Sequence, residues 1–383
     1  MSLNLSRNTR LWVSTVDTGH DNSNTFEIPI QDGYSLGQNM ASEDISPEEA
    51  GPTPTRGSRR FNTNLDPVDW SFSTYLNPYL VNGDVYALDA ILWHALATSN
   101  DLPLELQGDG AGNAGQTDVY STGSEFKIGF TKNGAHVLTK LNLYFKIDNK
   151  VYLVKEAQVN EASIPLDIAD IAMTNWSGQG TEMVEIAAPA FMSATAETFN
   201  PDLPTADSFV GIPADRSYIL SKLTTVTMQS NAGGTTSYYR IALTGGSLTI
   251  NNNISYVTPS TLAEVDTPVG SFTGTFDVSG TMDSYLRDGV GLADGSSDAN
   301  AYGSADLLKQ MVQNKNVINV SNITFELGGK SNSSRVEVNL PQAHIGIPAV
   351  SVDSIISQSL EFKGIPSSAD MDDGDEVNIT FFR

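Results

Sequence analysis

The chain has 383 residues, 39% hydrophobic and 8% aromatic, enough for roughly two or three domains with real cores. Its 21 basic residues stand against 45 acidic ones, a net charge of −24 spread over both halves. That balance excludes gripping nucleic acid through bulk charge and leaves two uses for the acid, solubility or the repulsion of a polyanion that must slide past. The absence of cysteine excludes disulfides and thiolate metal sites.

The opening "MSLNLSRNTR" has no apolar core behind its basic residues, so no secretion signal is expected. No uncharged apolar run approaches the ~18–20 residues of a membrane helix, and no membrane partner is expected. "TRLWVSTV" (9–16) and "TFEIPI" (25–30) read as strands, rich in β-branched and aromatic residues. "YSLGQN" (34–39) follows, then a long polar excursion containing "ISPEEA" and "TRGSRR". "WSFSTYLNPYL" (70–80) alternates, with Trp70, Phe72, Thr74 and Leu76 on one face and Ser71, Ser73 and Tyr75 on the other. "DVYALDAILWHALA" (84–97) is expected to be a helix capped by Asp84, with Val85, Leu88, Ile91, Leu92 and Ala95 on its buried face. Strands resume at "EFKIGFT", "LNLYFKI", "KVYLVKEAQV" and "VNEASIPLDIADIAMTNWSG" and close with "TEMVEIA" (181–187). Residues 189–215, rich in Pro, Ala and Ser, read as a linker. Beyond it come "KLTTVTMQS", "SYYRIAL", "SLTINNNISYV" and "FDVSGTMDSYL" (276–286). A second helix is expected over "SADLLKQMVQ" (304–313), capped by Ser304, before the strands "NVSNITFEL", "SRVEVNL", "LPQAHIGIPAVSVDSIISQSLEFKG" and "EVNITFF".

The second half repeats the order of the first. Laid together without a gap, 70–80 and 276–286 put Ser73 on Ser279, Tyr79 on Tyr285 and Leu80 on Leu286. "YSLGQN" has its counterpart in "GSLTIN" (246–251, with Leu36 on Leu248), each followed by a polar excursion. Aligning Trp176 with Phe362 puts Gly178 on Gly364. The expected fold is therefore mainly β, α+β: a duplicated antiparallel sandwich or barrel-forming unit with one flanking helix per copy, residues 1–188 and 216–383.

Searches for chemistry find no constellation. The four histidines, His20, His94, His136 and His344, form no metal-ligand spacing, and His94 reads as structural inside its helix. There is no nucleophile elbow and no phosphate loop. "DMDDGDE" (370–376) places Gly374 at position five rather than six of a calcium loop and reads as a hairpin tip. Glu48 and Glu49 are adjacent in one loop, whereas paired glycosidase carboxylates come from separate elements. The basic cluster Arg56, Arg59 and Arg60 is either a solvated loop or a clasp onto an acidic surface of an identical neighbour. No enzyme, cofactor or metal is expected.

At "LSRNTRLWVSTV", "FEIPIQDGYSLGQN", "PTRGSRRFNTNLDPVDWSFSTYLNPYL" and "DIADIAMTNWSG" the chain resembles the tail tube (major tail) proteins of tailed bacteriophages, most clearly over 5–187 and more faintly over 216–383. The resemblance implies a virion protein, assembled in the host cytoplasm, of two packed antiparallel sheets and a flanking helix. It implies units joined side by side into rings that stack around an acidic bore conducting DNA. Its implied partners are further copies of itself, a tape-measure protein and genomic double-stranded DNA passing without specific binding, other tail proteins, and a sheath only if the tail contracts. Doubling implies three chains per ring with pseudo-sixfold symmetry, against a rival of six chains carrying the second half as an outer knob. On this reading Asp69, Ser71, Ser73, Asp277 and Ser279 face the bore. Arg7, Arg10, Glu48, Glu49, Arg56, Arg59 and Arg60 are candidates for contact between rings. A head decoration or baseplate component, and a carbohydrate-binding or carbohydrate-active β protein, are the alternatives.

Overall fold

The computed structural model describes residues 8–14, 25–45, 58–81, 84–97, 119–122, 124–130, 138–168, 170–189, 192, 217–230, 237–258, 268–287, 301–313, 321–329, 334–347, 349–352, 355–367 and 375–383. Its first half runs β1 (Thr9–Ser14), β2 (Thr25–Ile28), β3 (Ser35–Ile45), β4 (Arg59–Tyr75), β5 (Pro78–Val81), β6 (Asp84–Ala87), α1 (Ala90–Ala97), β7 (Val119–Thr122), β8 (Glu125–Gly129), β9 (Leu141–Ile147), β10 (Lys150–Pro165), β11 (Met173–Gly180) and β12 (Glu182–Ile186). The second runs β13 (Thr225–Ser230), β14 (Ser237–Ile241), β15 (Leu243–Asn251), β16 (Ser255–Val257), β17 (Gly270–Phe272), β18 (Asp277–Tyr285), β19 (Ala301–Tyr302), α2 (Ser304–Gln313), β20 (Ser321–Leu327), β21 (Arg335–Ile345), β22 (Ala349–Val352), β23 (Ile356–Gly364) and β24 (Asn378–Phe382). The fold is mainly β, and its pairings are antiparallel apart from a short β14–β19 contact.

Two layers arise because β10 and β21 each serve both. The first part of β10 lies between β9 and β12; its last part lies between β11 and β15. The register slips between Val154 and Ala157, and Glu156 takes a positive φ of 46° there. A bulge of this kind bends a strand from one sheet into the other. β21 repeats the role between β20, β24 and β23. Apolar faces meet between the layers: Phe72 of β4 lies edge-on to Phe145 of β9 at 6.2 Å, and Phe325 of β20 against Phe362 of β23 at 5.5 Å.

The pairings of the first half recur in the second. β1–β2, β1–β9, β9–β10, β10–β12, β10–β11, β4–β11 and β3–β4 correspond to β13–β14, β13–β20, β20–β21, β21–β24, β21–β23, β18–β23 and β15–β18. The register corrects one alignment. Phe72 lies opposite Trp176, two residues from Trp70 opposite Gly178, and Gly280 lies opposite Phe362, which continues in register to Val278 and Gly364. With Gly178 matched to Gly364, Trp70 matches Val278 rather than Phe276. Leu36, opposite Trp70, then matches Ile250, opposite Val278, rather than Leu248. Both gapless alignments of the opening motifs are thus out by two residues.

The halves are joined through their sheets. β10 pairs with β15, and β24 with β8. Helix α1 lies at this joint: Trp93 packs edge-on to Trp176 at 4.7 Å and faces Phe381 of β24 at 6.4 Å, and the Asn252 side chain donates to the Leu96 carbonyl at 2.9 Å. Every residue of α1 is buried as a result.

The first helix starts later than the sequence reading, and the second starts at Ser304 as expected but is capped by a different residue. Asp84–Ala87 is a strand, paired with β5, and the helix begins at Ala90. Asp89 stands at its entrance, its carbonyl accepting from the amides of Leu92 and Trp93 at 2.9 and 3.2 Å. In the second helix the Ser304 hydroxyl donates to the Tyr285 carbonyl and accepts from the Arg287 amide, tying α2 to the end of β18. The cap is Gly303, whose carbonyl accepts from the Leu307 amide and whose amide donates to the Asp306 carboxylate, a reciprocal arrangement of the capping-box kind.

Candidate assembly surfaces

Three surfaces follow from this architecture: a polar sheet face, two open sheet margins and a projecting arm. The face is built by alternation. Trp70, Phe72, Thr74 and Leu76 of β4 enter the core, so Asp69, Ser71, Ser73 and Tyr75 stand on the opposite face. Val278 and Met282 of β18 do the same and leave Asp277, Ser279, Thr281 and Asp283 outside. Through β11, the end of β10 and β15, the two sets belong to one sheet ordered β3–β4–β11–β10–β15–β18–β23–β21, eight strands with four from each half.

Cross-strand hydrogen bonds knit this face. The Ser73 hydroxyl donates to the Asn175 side-chain oxygen at 2.7 Å, Gln179 to Asp69 at 2.9 Å, and Asn251 to Glu161 at 3.1 Å. Hydroxyl pairs Ser163–Thr249 and Ser247–Thr281 lie 3.3 and 3.4 Å apart. On this face, away from the arm and from the parts of β10 and β21 that lie in the other layer, the acids are Asp69, Glu161, Asp277, Asp283 and Glu361, with the cation Lys363 among them. Lys363 bonds to Asp277 and holds its carboxyl below the usual carboxylate range, and the Ser279 hydroxyl donates to the same group at 2.9 Å. Asp277 is therefore ionised at neutral pH. A face of hydroxyls, amides and carboxylates with one cation already paired offers no cluster to hold a phosphate.

Glu161, Asp283, Glu361 and Lys363 were not singled out from the sequence. The signal lies in the period-2 alternation of "NEASIP", "SGTMDSYL" and "SQSLEFKG".

The margins are the outer strands of the same sheet. Among the described residues β3 pairs with β4 alone, and beyond Ala343 the outer side of β21 and β22 faces no strand. Large apolar groups stand uncovered there, Ile347 at 69% and Val352 at 80% exposed. An open margin of this kind is a template for another strand.

The arm is the far end of the β3–β4 hairpin. Met40 to Ile45 pair with Leu65 back to Arg59 and with nothing else among the described residues. Met40, Ile45 and Phe61 are exposed on it. A smaller arm, β16–β17, occupies the corresponding place in the second half, with Val257, Val269 and Phe272 exposed.

The residues expected at contacts between rings divide as follows. Arg7, Glu48, Glu49 and Arg56 lie outside the described residues. Arg10 is engaged inside the chain by Glu27 at 2.5 Å and stacks over Trp12, remote in role from the arm. Arg60 forms a two-pronged bond to Asp44, directly across the hairpin, at 2.8 and 3.0 Å, which lowers the carboxyl's pKa. Arg59 is exposed opposite Ile45.

Among the described residues no group of three or more His, Asp or Glu is placed to hold a metal ion, and no helix is long and apolar enough to cross a membrane. A family model described as phage tail tube protein matches residues 71–364. Tail tube protein pb6 of Escherichia phage T5 is 38% identical over 385 residues, covering 100% of this chain and 76% of that protein.

Proposed function

The chain belongs to the phage tail tube protein family, a virion structural protein, and from that premise we propose that its eight-strand sheet is one third of the wall of a ring. The two halves act as tandem wall units, residues 1–188 and 216–383 joined through 189–215, so that three chains give a ring of pseudo-sixfold symmetry. The observation that carries this reading is the pairing of β10 with β15, which lays both halves edge to edge in one sheet and leaves one open margin at each end. It disfavours the rival in which the second half is an outer knob on a six-chain ring. The family match likewise disfavours the decoration, baseplate and carbohydrate readings.

Three chains of eight strands make about 24 strands; at ~4.8 Å spacing and ~40° tilt they close on a backbone diameter of roughly 48 Å, leaving a bore of about 35 Å inside the side chains. That is wide enough for double-stranded DNA. The polar face, with Asp69, Ser71, Ser73, Asp277 and Ser279, lines it and repels the polyanion. The tape-measure protein and genomic DNA are the passengers, neither bound by sequence, and other tail proteins, with a sheath only in a contractile tail, meet the tube outside. The arms reach between stacked rings. Image averages of assembled tubes test the count: three chains per ring are expected, and six reject the reading.

A further inference from the structure

The joint inside the chain is a template for the joint between chains. Trp176 of β11 lies opposite Ala162 of β10, and Phe362 of β23 opposite Ile345 of β21. With Trp176 matched to Phe362, Ala162 matches Ile345, and two residues on Ile164 matches Ile347. Each isoleucine is followed in the sequence by proline, Pro165 and Pro348, an identity not used to set the match. On the receiving side Leu36 of β3 matches Ile250 of β15, and Tyr34 matches Leu248, by the register given above.

Burial separates the two sets in the way a missing partner would. Ile164, Leu248 and Ile250 are 1%, 2% and 0% exposed, because β10 and β15 cover one another. Their counterparts are less covered: Ile347 is 69% exposed and Tyr34 and Leu36 are half-buried, while Ile345, like Ala162, is already buried.

Resting on the ring reading, we propose that a second copy of the chain adds its β3 to the His344–Ile347 margin in the register of the internal joint. His344 then stands opposite Gly37, Ile345 opposite Leu36, Gly346 opposite Ser35 and Ile347 opposite Tyr34. The joint closes Ile347 over Tyr34, sets Leu36 against the already buried Ile345 on the core side, and carries the polar face across the seam.

The two seams are alike in backbone and different in chemistry. Within the chain Glu161 is bonded by Asn251 across the seam. Between chains the same place holds His344 and Gly37, so the acidic side chain is absent from every second seam of the ring.

A cysteine-free chain makes the register directly testable. Inside the chain the Leu166 amide donates to the Gly246 carbonyl and the Asn252 amide to the Asn160 carbonyl. Ser163–Thr249 and Glu161–Asn251 therefore fall at the closely spaced, non-hydrogen-bonded positions. Their counterparts are Gly346–Ser35 and His344–Gly37. A Cβ at Gly37 meets nothing within 4 Å, and one at Gly346 meets Glu361 at 3.7 Å, so both glycines accept cysteine. Tubes of G346C/S35C, and of H344C/G37C as a second pair in case the first does not assemble, are mildly oxidised and run on denaturing gels without reductant. Most chains are expected in covalent rings of several chains, released to single chains by reductant. The slipped pair G346C/G37C should give at least tenfold less, because a two-residue slip moves the partners ~7 Å apart along the strand, beyond disulfide reach. Cross-links in the slipped pair alone overturn the register while the ring stands. Tubes in which neither matched pair links chains overturn the joint. Rings with no seam between copies in image averages overturn the ring reading itself.

Discussion

Asp89 is a fully buried carboxyl at the entrance of α1. The Thr74 hydroxyl donates to it at 2.7 Å and the Trp93 indole at 3.2 Å, while Trp176 donates to the same Thr74 hydroxyl at 2.8 Å. The network locks the helix onto β4 and β11. Burial outweighs these donors and pushes the Asp89 carboxyl up to about 6. A folded pKa above the unfolded one favours the protonated form in the fold. The contribution to stability is complete below about pH 4 and is lost as pH rises through 6. His94, on the same helix, runs the other way: burial lowers it to about 4, so its contribution is present above pH 6.5 and fades as pH falls. Comparing the protein with Asp89→Asn isolates the carboxyl, because His94 is common to both. Between pH 7 and pH 5 the wild type should gain on the order of 1 kcal/mol relative to the variant. Chemical denaturation at the two pH values measures it; equal differences at both would place the proton elsewhere.

Elements were legible where alternation and length agreed, and misread where two periods coincide. Val85 and Leu88 fall at helical spacing with Ile91 and Leu92, which drew the expected helix back to Asp84. The stronger signal was Asn82-Gly83, a hairpin dipeptide between the paired residues Val81 and Asp84. The repeated motifs were found by alternation, and alternation cannot fix their register. A slip of two residues returns every side chain to its own face, so the alignment of Trp70 with Phe276 satisfied the burial pattern as well as Val278 does. Only the cross-strand partners, Trp176 opposite Phe72 and Phe362 opposite Gly280, decide between them. The β3–β4 arm was legible as a long polar loop, but not as a paired hairpin. Register also sharpens the deletion that tests it. Ala41 pairs with Asn64, so removal of residues 41–64 with a short turn in their place trims both strands evenly, where removal of 41–60 would leave one strand overhanging. The trimmed chain should fold with unchanged thermal stability and fail to polymerise, as read by scattering and negative-stain microscopy. Normal tubes from it would assign the stacking contact to another surface.

At the scale of the whole molecule, the acidity divides between surface and sheet face, and in the proposed ring only the face bears on DNA. The net charge of −24 announced repulsion without saying where it acts, because composition carries no geometry. The fold supplies it by placing Asp69 and Asp283 on the same side of a sheet that spans both halves. In a ring each substitution recurs in every chain and every stacked ring, so a local change of charge becomes a continuous stripe along the proposed bore. Asp69→Lys with Asp283→Lys would turn that stripe from repelling to binding phosphates. Asp277 is less suitable for reversal because its bond to Lys363 also holds two strands together. Virions carrying the double Lys variant should assemble tubes of normal length, since both side chains project from the polar face of inner strands β4 and β18 and neither lies on the open side of a margin strand. Their DNA ejection should slow at low salt and recover as salt rises, because contacts that release counterions weaken steeply with ionic strength and the Debye length shrinks to about 10 Å at 0.1 M. The matching Asn variant removes charge without adding a cation and should eject close to the wild-type rate. If the Lys variant ejects at the wild-type rate in low salt, the DNA does not run along this face, and the bore must be lined by the other side of the wall.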